Sequence, residues 1–112
     1  MKIIAVTLGE PAGIGPDLGV LLAQKNLSKN IIFIADPDLL QISAKILKKS
    51  IKINILKNIS SKTIAGNKTI NVLPIKLNTK NKPGKLNPKN SAYVLDTIRA
   101  AAELCITGEI GA

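Results

Sequence analysis

The chain has 112 residues, 46% hydrophobic but only 2% aromatic, which bounds it at one domain with a core of Ile, Leu, Val and Ala. A formal charge of +9 raises nucleic acid as a partner, yet all but Arg99 of the sixteen basic residues are Lys, with no interleaved aromatics to stack bases, so they read as solvated faces. One cysteine excludes an intramolecular disulfide, and no signal segment or apolar run near about 18 residues is present, so a soluble, cytoplasmic chain with no membrane partner is expected.

Residues 3–7 are continuously apolar and β-branched, the pattern of a buried strand. A helix is predicted over residues 16–25, with Pro16 at its first position, Asp17 at its positive end and Leu18, Leu21 and Leu22 on its buried face. Residues 31–35 form a second buried strand. Asp36-Pro37-Asp38 then opens a helix, Asp36 as N-cap and Pro37 in the first turn, with Leu40, Ala44 and Leu47 facing inward and Lys45, Lys48 and Lys49 at the negative end.

Ile51, Ile53 and Ile55 alternate with polar residues, which predicts a third strand near an edge. A turn is expected at residues 65–68 and a fourth strand over 69–75, with Pro74 at its end. Residues 76–90 make a long loop rich in Lys, Asn and Pro. The last helix spans residues 91–106, with Val94, Ile98, Ala101 and Cys105 as its apolar stripe, Cys105 as a small core residue and Gly108 as its cap.

The order β-α-β-α-β-β-α fits an α/β fold with a mostly parallel sheet flanked by helices. Residues 109–112 fall where the alternation calls for another strand, so the sheet is expected to be incomplete, with an unpaired edge.

Residues 9–17, Gly-Glu-Pro-Ala-Gly-Ile-Gly-Pro-Asp, join the first strand to the first helix. Such a loop sets backbone N–H groups at the carboxyl end of a parallel strand, where α/β enzymes bind ligands. A dinucleotide fingerprint would also use Asp36 as its ribose-binding acid, but the third glycine position holds Leu18 and Pro16 is foreign to the motif. Asp36 is more economically an N-cap. A P-loop is excluded, since no Lys lies between Lys2 and Lys25. A plain tight turn is the bland reading.

The segment Thr7-Leu8-Gly9-Glu10-Pro11-Ala12-Gly13-Ile14-Gly15-Pro16-Asp17 resembles the amino-terminal signature of the 4-hydroxythreonine-4-phosphate dehydrogenases of pyridoxal phosphate biosynthesis. Ala35-Asp36, Val72-Leu73-Pro74, Asn90-Ser91-Ala92-Tyr93, Ala100-Ala101-Ala102 and Gly108-Glu109 follow in the family's order. The loop is also similar to that of isocitrate and isopropylmalate dehydrogenases, whose fold the family is understood to share. The resemblance spans essentially the whole chain and about the first third of a full-length member.

The resemblance implies an NAD- or NADP-dependent oxidation of a phosphorylated hydroxy-amino acid, 4-phosphooxy-threonine, followed by loss of carbon dioxide. It also implies a divalent metal (Zn, Mg or Co) held by histidines in a homodimer of two-domain subunits. Residues 1–112 would be the amino-terminal part, truncated before the metal and substrate motifs. The chain has no histidine, so no metal ligand and no catalytic residue is assigned, and inactivity alone is expected. Glu10, Gly13, Ile14 and Gly15 are the candidate cofactor-binding residues lining the cleft, with loop bracing the favoured role for Glu10. Two alternatives stay open: a sister enzyme acting on threonate or erythronate 4-phosphate, and a free-standing basic α/β module for anions or nucleic acid.

Overall fold

The computed structural model describes residues 3–25, 30–59, 69–82 and 84–112. In chain order these form β1 (Ile4–Thr7), α1 (Gly15–Ala23), β2 (Ile31–Ala35), α2 (Pro37–Ile46), β3 (Lys52–Ile55), β4 (Thr69–Pro74), a single 3-10 turn (Pro88–Asn90) and α3 (Ser91–Ile106). The turn expected at residues 65–68 lies outside the described residues. One four-stranded sheet has the order β1-β2-β4-β3, and every neighbouring pair is parallel.

Burial follows this order. β2 and β4, in the middle, carry the solvent-free Ile32, Ile34, Ile70 and Val72, while β3 lies at an edge with Ile55 half exposed. Pro74 ends β4, so its missing N–H interrupts no central ladder.

Side chains alternate across β2, and the two faces gather different helices. Phe33 and Ala35 pack with Val20 and Ala23 of α1, Leu40 and Ala44 of α2, and Ile70 and Val72 of β4. Ile32 packs on the other face with Leu56, Ile110 and Leu104 of α3. The chirality of crossovers explains the split. From β1 to β2 to β3 the chain advances across the sheet, whereas α3 carries it back from β4 toward β1, so a right-handed connection sets α3 on the opposite face.

Two predicted helix faces are corrected. In α1 the buried residues are Pro16, Gly19, Val20 and Ala23, while Leu18, Leu21 and Leu22 are 50%, 43% and 41% exposed. The buried stripe is made of small residues because the helix approaches closely: a Cβ on Gly19 would sit 3.4 Å from the side chains of Leu40 and Leu8. In α3 the buried residues are Tyr93 and Thr97, with Leu104 packed a further two turns on. Ile98 is half exposed, and Cys105 is an exposed free thiol and not a core residue. The Tyr93 hydroxyl, which accepts Asp36 N–H just beyond the end of β2, favours this rotation of the helix, and the buried Thr97 Oγ1 is satisfied within α3 by donating to Val94 O, 2.7 Å away.

The end of α3 is built as expected. Gly108 has φ +79°, and Gly108 N–H to Cys105 O and Glu109 N–H to Leu104 O form the paired bonds of a Schellman cap. Beyond it Gly111 N–H donates to Ile3 O (2.7 Å) and Ala5 N–H to Ala112 O (2.8 Å). The last residues therefore run beside β1 in its own direction, and the outer edge of β1 is partly paired where the sequence suggested an open one.

The two helix faces give opposite outcomes for the same substitution. Leu40→Ala, at a fully buried site, is expected to cost about 2–5 kcal/mol in urea unfolding. Leu22→Ala, on the outer side of α1, should change stability by no more than about 1 kcal/mol. Equal losses would restore the helix face read from the sequence.

Candidate functional site

In a parallel α/β sheet, ligand crevices form at the carboxyl ends of neighbouring strands whose following helices leave to opposite faces. Here that pair is β2, followed by α2, and β4, followed by α3. The crevice is filled by the chain's own polar groups. Asp36, 6% exposed, accepts Asp38 N–H on Oδ1 at 2.9 Å, which caps α2, and Leu77 N–H on Oδ2 at 2.8 Å, which ties down the strand after β4. Its own N–H donates to the buried Tyr93 hydroxyl at 3.0 Å. Beside it the fully buried Asn90 takes Thr79 N–H on Oδ1, leaving Nδ2 without a partner. Both carboxylate oxygens of Asp36 are thus engaged internally, as the N-cap reading requires and a ribose-binding acid would not be.

Burial pushes the Tyr93 phenol above its ordinary value of 10.0. The hydrogen bond from the Asp36 backbone opposes this rise and the Asp36 charge adds to it.

The open site lies one strand over, after β1. Gly9 turns the chain at φ +73°, a backbone region suited to glycine. Glu10 then closes the loop on itself: its Oε1 accepts Ala12 N–H at 3.3 Å and its carbonyl accepts Gly13 N–H at 3.0 Å. Gly15 is a packing residue of a strict kind, since a Cβ there would fall 1.8 Å from Leu8 O. No side chain caps α1 at its start, where Ile14 O accepts Leu18 N–H.

This loop forms one wall of a cleft of about 260 Å³. Pro11, Ala12, Gly13 and Ile14 line it from the loop, Leu39, Ile42 and Ile46 from α2, and Asn81 and Gly84 from the Lys-rich segment. That segment is pinned to the loop, with Asn81 Nδ2 donating to Pro11 O and Gly84 N–H to Ala12 O, both at 3.0 Å. At the base, Ser43 Oγ donates to Asp17 Oδ1 and joins α2 to α1.

Of the four candidate residues, Gly13 and Ile14 line this cleft, both exposed, while Glu10 braces the loop and Gly15 fits it against the backbone of Leu8, the residue after β1. Ser43, Asn81 and Gly84 were missed. Only Gly84, a glycine in a polar run, carries a local signal; the others reach the cleft through tertiary packing. No group of three His, Cys, Asp or Glu among the described residues could hold a metal ion, and the whole chain has no histidine. The residues present do not fit a divalent metal site. No helix among the described residues is long and apolar enough to cross a membrane.

A parallel sheet covered on both faces, with a glycine loop opening a cleft at a strand's carboxyl end, places the chain among the open-sheet α/β proteins. Residues 27–112 match the family described as "Pyridoxal phosphate biosynthetic protein PdxA", and the chain belongs to that family. The 4-hydroxythreonine-4-phosphate dehydrogenase of Saccharophagus degradans is 40% identical over 110 residues, covering 98% of this chain and 32% of that enzyme. That of Methylococcus capsulatus is 39% identical over 111 residues, covering 97% and 33%. The crystal structure of the Klebsiella pneumoniae 4-hydroxythreonine-4-phosphate dehydrogenase superposes with a TM-score of 0.84 at 26% identity, over 98% of this chain and 35% of that one. The chain thus spans about a third of the length of the relatives it matches. The expected α/β fold is the fold observed.

The loop and the filled crevice each make a testable demand. Gly15→Ala should cost more than about 3 kcal/mol or abolish folding, because backbone must move, whereas Gly13→Ala, whose Cβ would meet Glu10 O at 3.3 Å, should cost about 1 kcal/mol or less. Denaturant titration reads both. Tyr93→Phe leaves the buried Asp36 N–H without its acceptor and should cost about 1–3 kcal/mol at neutral pH. Because the folded phenol holds its proton more tightly than the unfolded one, its contribution is complete below pH 10.0 and is lost as pH rises above it. The alkaline fall in stability should therefore be shallower in Tyr93→Phe, and an unchanged slope would contradict the burial effect.

Proposed function

We propose that residues 1–112 form the amino-terminal part of an NAD(P)-dependent 4-hydroxythreonine-4-phosphate dehydrogenase, supplying the glycine-loop wall of its cleft and giving no turnover alone. The observation that carries this is the 40% identity to a named enzyme across 98% of the chain. A phosphorylated hydroxythreonine is the substrate in this reading: its secondary alcohol becomes a ketone, and the β-keto acid then loses carbon dioxide. A bound nicotinamide supplies the hydride acceptor for the first step.

What this chain contributes is shape. Gly13 and Ile14, with Ile42 and Ile46, present an apolar wall suited to a flat ring, while the Asp17 carboxylate beside it disfavours a phosphate there. A cleft of about 260 Å³ is smaller than the roughly 300–1,000 Å³ of drug-sized ligand sites, so these residues enclose only part of a dinucleotide. The metal-binding residues and the second subunit of a homodimer belong to the rest of the enzyme in this reading.

The test is a chimera. Residues 3–112 replace the aligned segment of the Saccharophagus degradans enzyme, and reduced nicotinamide is followed with 4-phosphooxy-threonine. The chimera is expected to turn over and the purified 112-residue chain to give none. A chimera that folds by circular dichroism yet is inactive, or a chain active alone, would overturn the proposal.

A further inference from the structure

The Lys-rich segment also carries a second, smaller hollow of about 140 Å³, lined by Lys80, Lys82, Lys85, Leu86 and Asn87, with no residue of the glycine loop in its lining. Residues 76–90 contain five lysines and no acid, which alone would describe a solvated loop. The structure adds order and direction. Lys82 and Lys85 form an antiparallel bridge across Gly84, whose φ of +76° makes the turn, and Lys85 N–H donates to Lys82 O at 3.0 Å. The turn is pinned to the glycine loop through Asn81 and Gly84, and Thr79 is tied to the buried Asn90. Backbone or side-chain hydrogen bonds therefore hold Asn81, Lys82, Gly84 and Lys85 in place.

The lining side chains are rich in donors: three lysine ammonium groups and the Asn87 amide N–H groups, while Asn87 Oδ1 accepts Lys89 N–H at 3.0 Å and the Lys82 carbonyl accepts Lys85 N–H. Among the described residues none of the three lysines pairs with a carboxylate, the ion pair being Arg99–Asp96 on α3. Three like charges on residues lining one hollow repel one another, and an anion placed among them relieves that repulsion. Lysine ammonium groups act as compact point charges that grip a phosphate without needing the planar geometry of a guanidinium.

We infer that this lysine hollow is a binding site for a phosphomonoester dianion, separate from the glycine-loop cleft. The site is weak and salt-sensitive, because exposed ion pairs are individually small and screened, with Kd on the order of a millimolar at low salt. It does not rest on the dehydrogenase reading: the chimera can be active with the hollow empty, and the hollow can fill in an inactive chain.

The experiment is an amide NMR titration of the 112-residue chain with O-phosphoserine at low ionic strength. Shifts centred on Lys82, Lys85, Leu86 and Asn87 are expected. They should saturate in the millimolar range and weaken about tenfold from about pH 7.5 to about pH 5, as the phosphomonoester loses its second charge near pH 6. The triple variant K80Q/K82Q/K85Q should lose at least about tenfold in affinity, and K45Q/K48Q/K49Q, with the same net charge, less than about twofold. Inorganic phosphate in parallel, compared at equal concentration of its dianion, should bind with similar affinity, since the dianion is what the lysines read. Equal shifts from chloride at matched ionic strength, equal losses in both triple variants, or binding of arbitrary duplex DNA without any of phosphoserine would overturn the inference.

Discussion

The carboxylate and backbone of Asp36 hold together parts of the chain that are far apart in sequence. One oxygen starts α2, the other fixes the strand that leaves β4, and the N–H engages the hydroxyl of Tyr93, 57 residues on. The group sits at the carboxyl end of the central strand pair, where helices diverge to opposite faces of the sheet and a gap is unavoidable. In many α/β proteins that gap receives a ligand. Here a buried polar cluster occupies it, and a buried carboxylate is tolerable only because its oxygens are matched by donors.

That arrangement moves the open cleft one strand outward, to the glycine loop after β1. The loop is fixed by close approach, and little of it is free to adapt. Gly15 lies against Leu8 with no room for a Cβ, Gly19 lets α1 reach Leu40, and Glu10 binds the loop to itself. The Lys-rich segment then leans on the loop carbonyls of Pro11 and Ala12 while Asn90 holds its far side. Asp36, Asn90 and the glycine loop thus form one connected support, which holds Leu77, Thr79, Asn81 and Gly84 of the Lys-rich segment although these residues have almost no regular structure.

Much of the fold was legible because strong local signals agreed. β1, β2, β4, the Asp36-Pro37 helix start and the Gly108 cap follow from continuous apolar runs and from residues whose backbone or capping preferences leave few alternatives. Helix rotation was not. Leu18, Leu21 and Leu22 are more hydrophobic than Gly19 and Ala23, yet close packing selects the small residues for the inner face. In α3 the Tyr93 and Thr97 hydroxyls count as polar in a sequence pattern, yet one accepts the buried Asp36 N–H and the other donates to Val94 O within the helix, so both are satisfied inside while Cys105 stays outside. The cleft was half legible: Gly13 and Ile14 are local to the motif, whereas Ser43 and Asn81 arrive from α2 and the Lys-rich segment, which no spacing along the chain encodes.

Native-state hydrogen exchange of the Leu77 and Asp38 amides tests the central role of Asp36 most directly. Both N–H groups end on its carboxylate, so both should exchange through global opening, at rates matching the amide of buried Phe33. In Asp36→Ala they should become fast while the central sheet stays protected. Leu77 and Asp38 amides that already exchange like exposed loop in the unaltered chain, with Phe33 protected, would contradict the account.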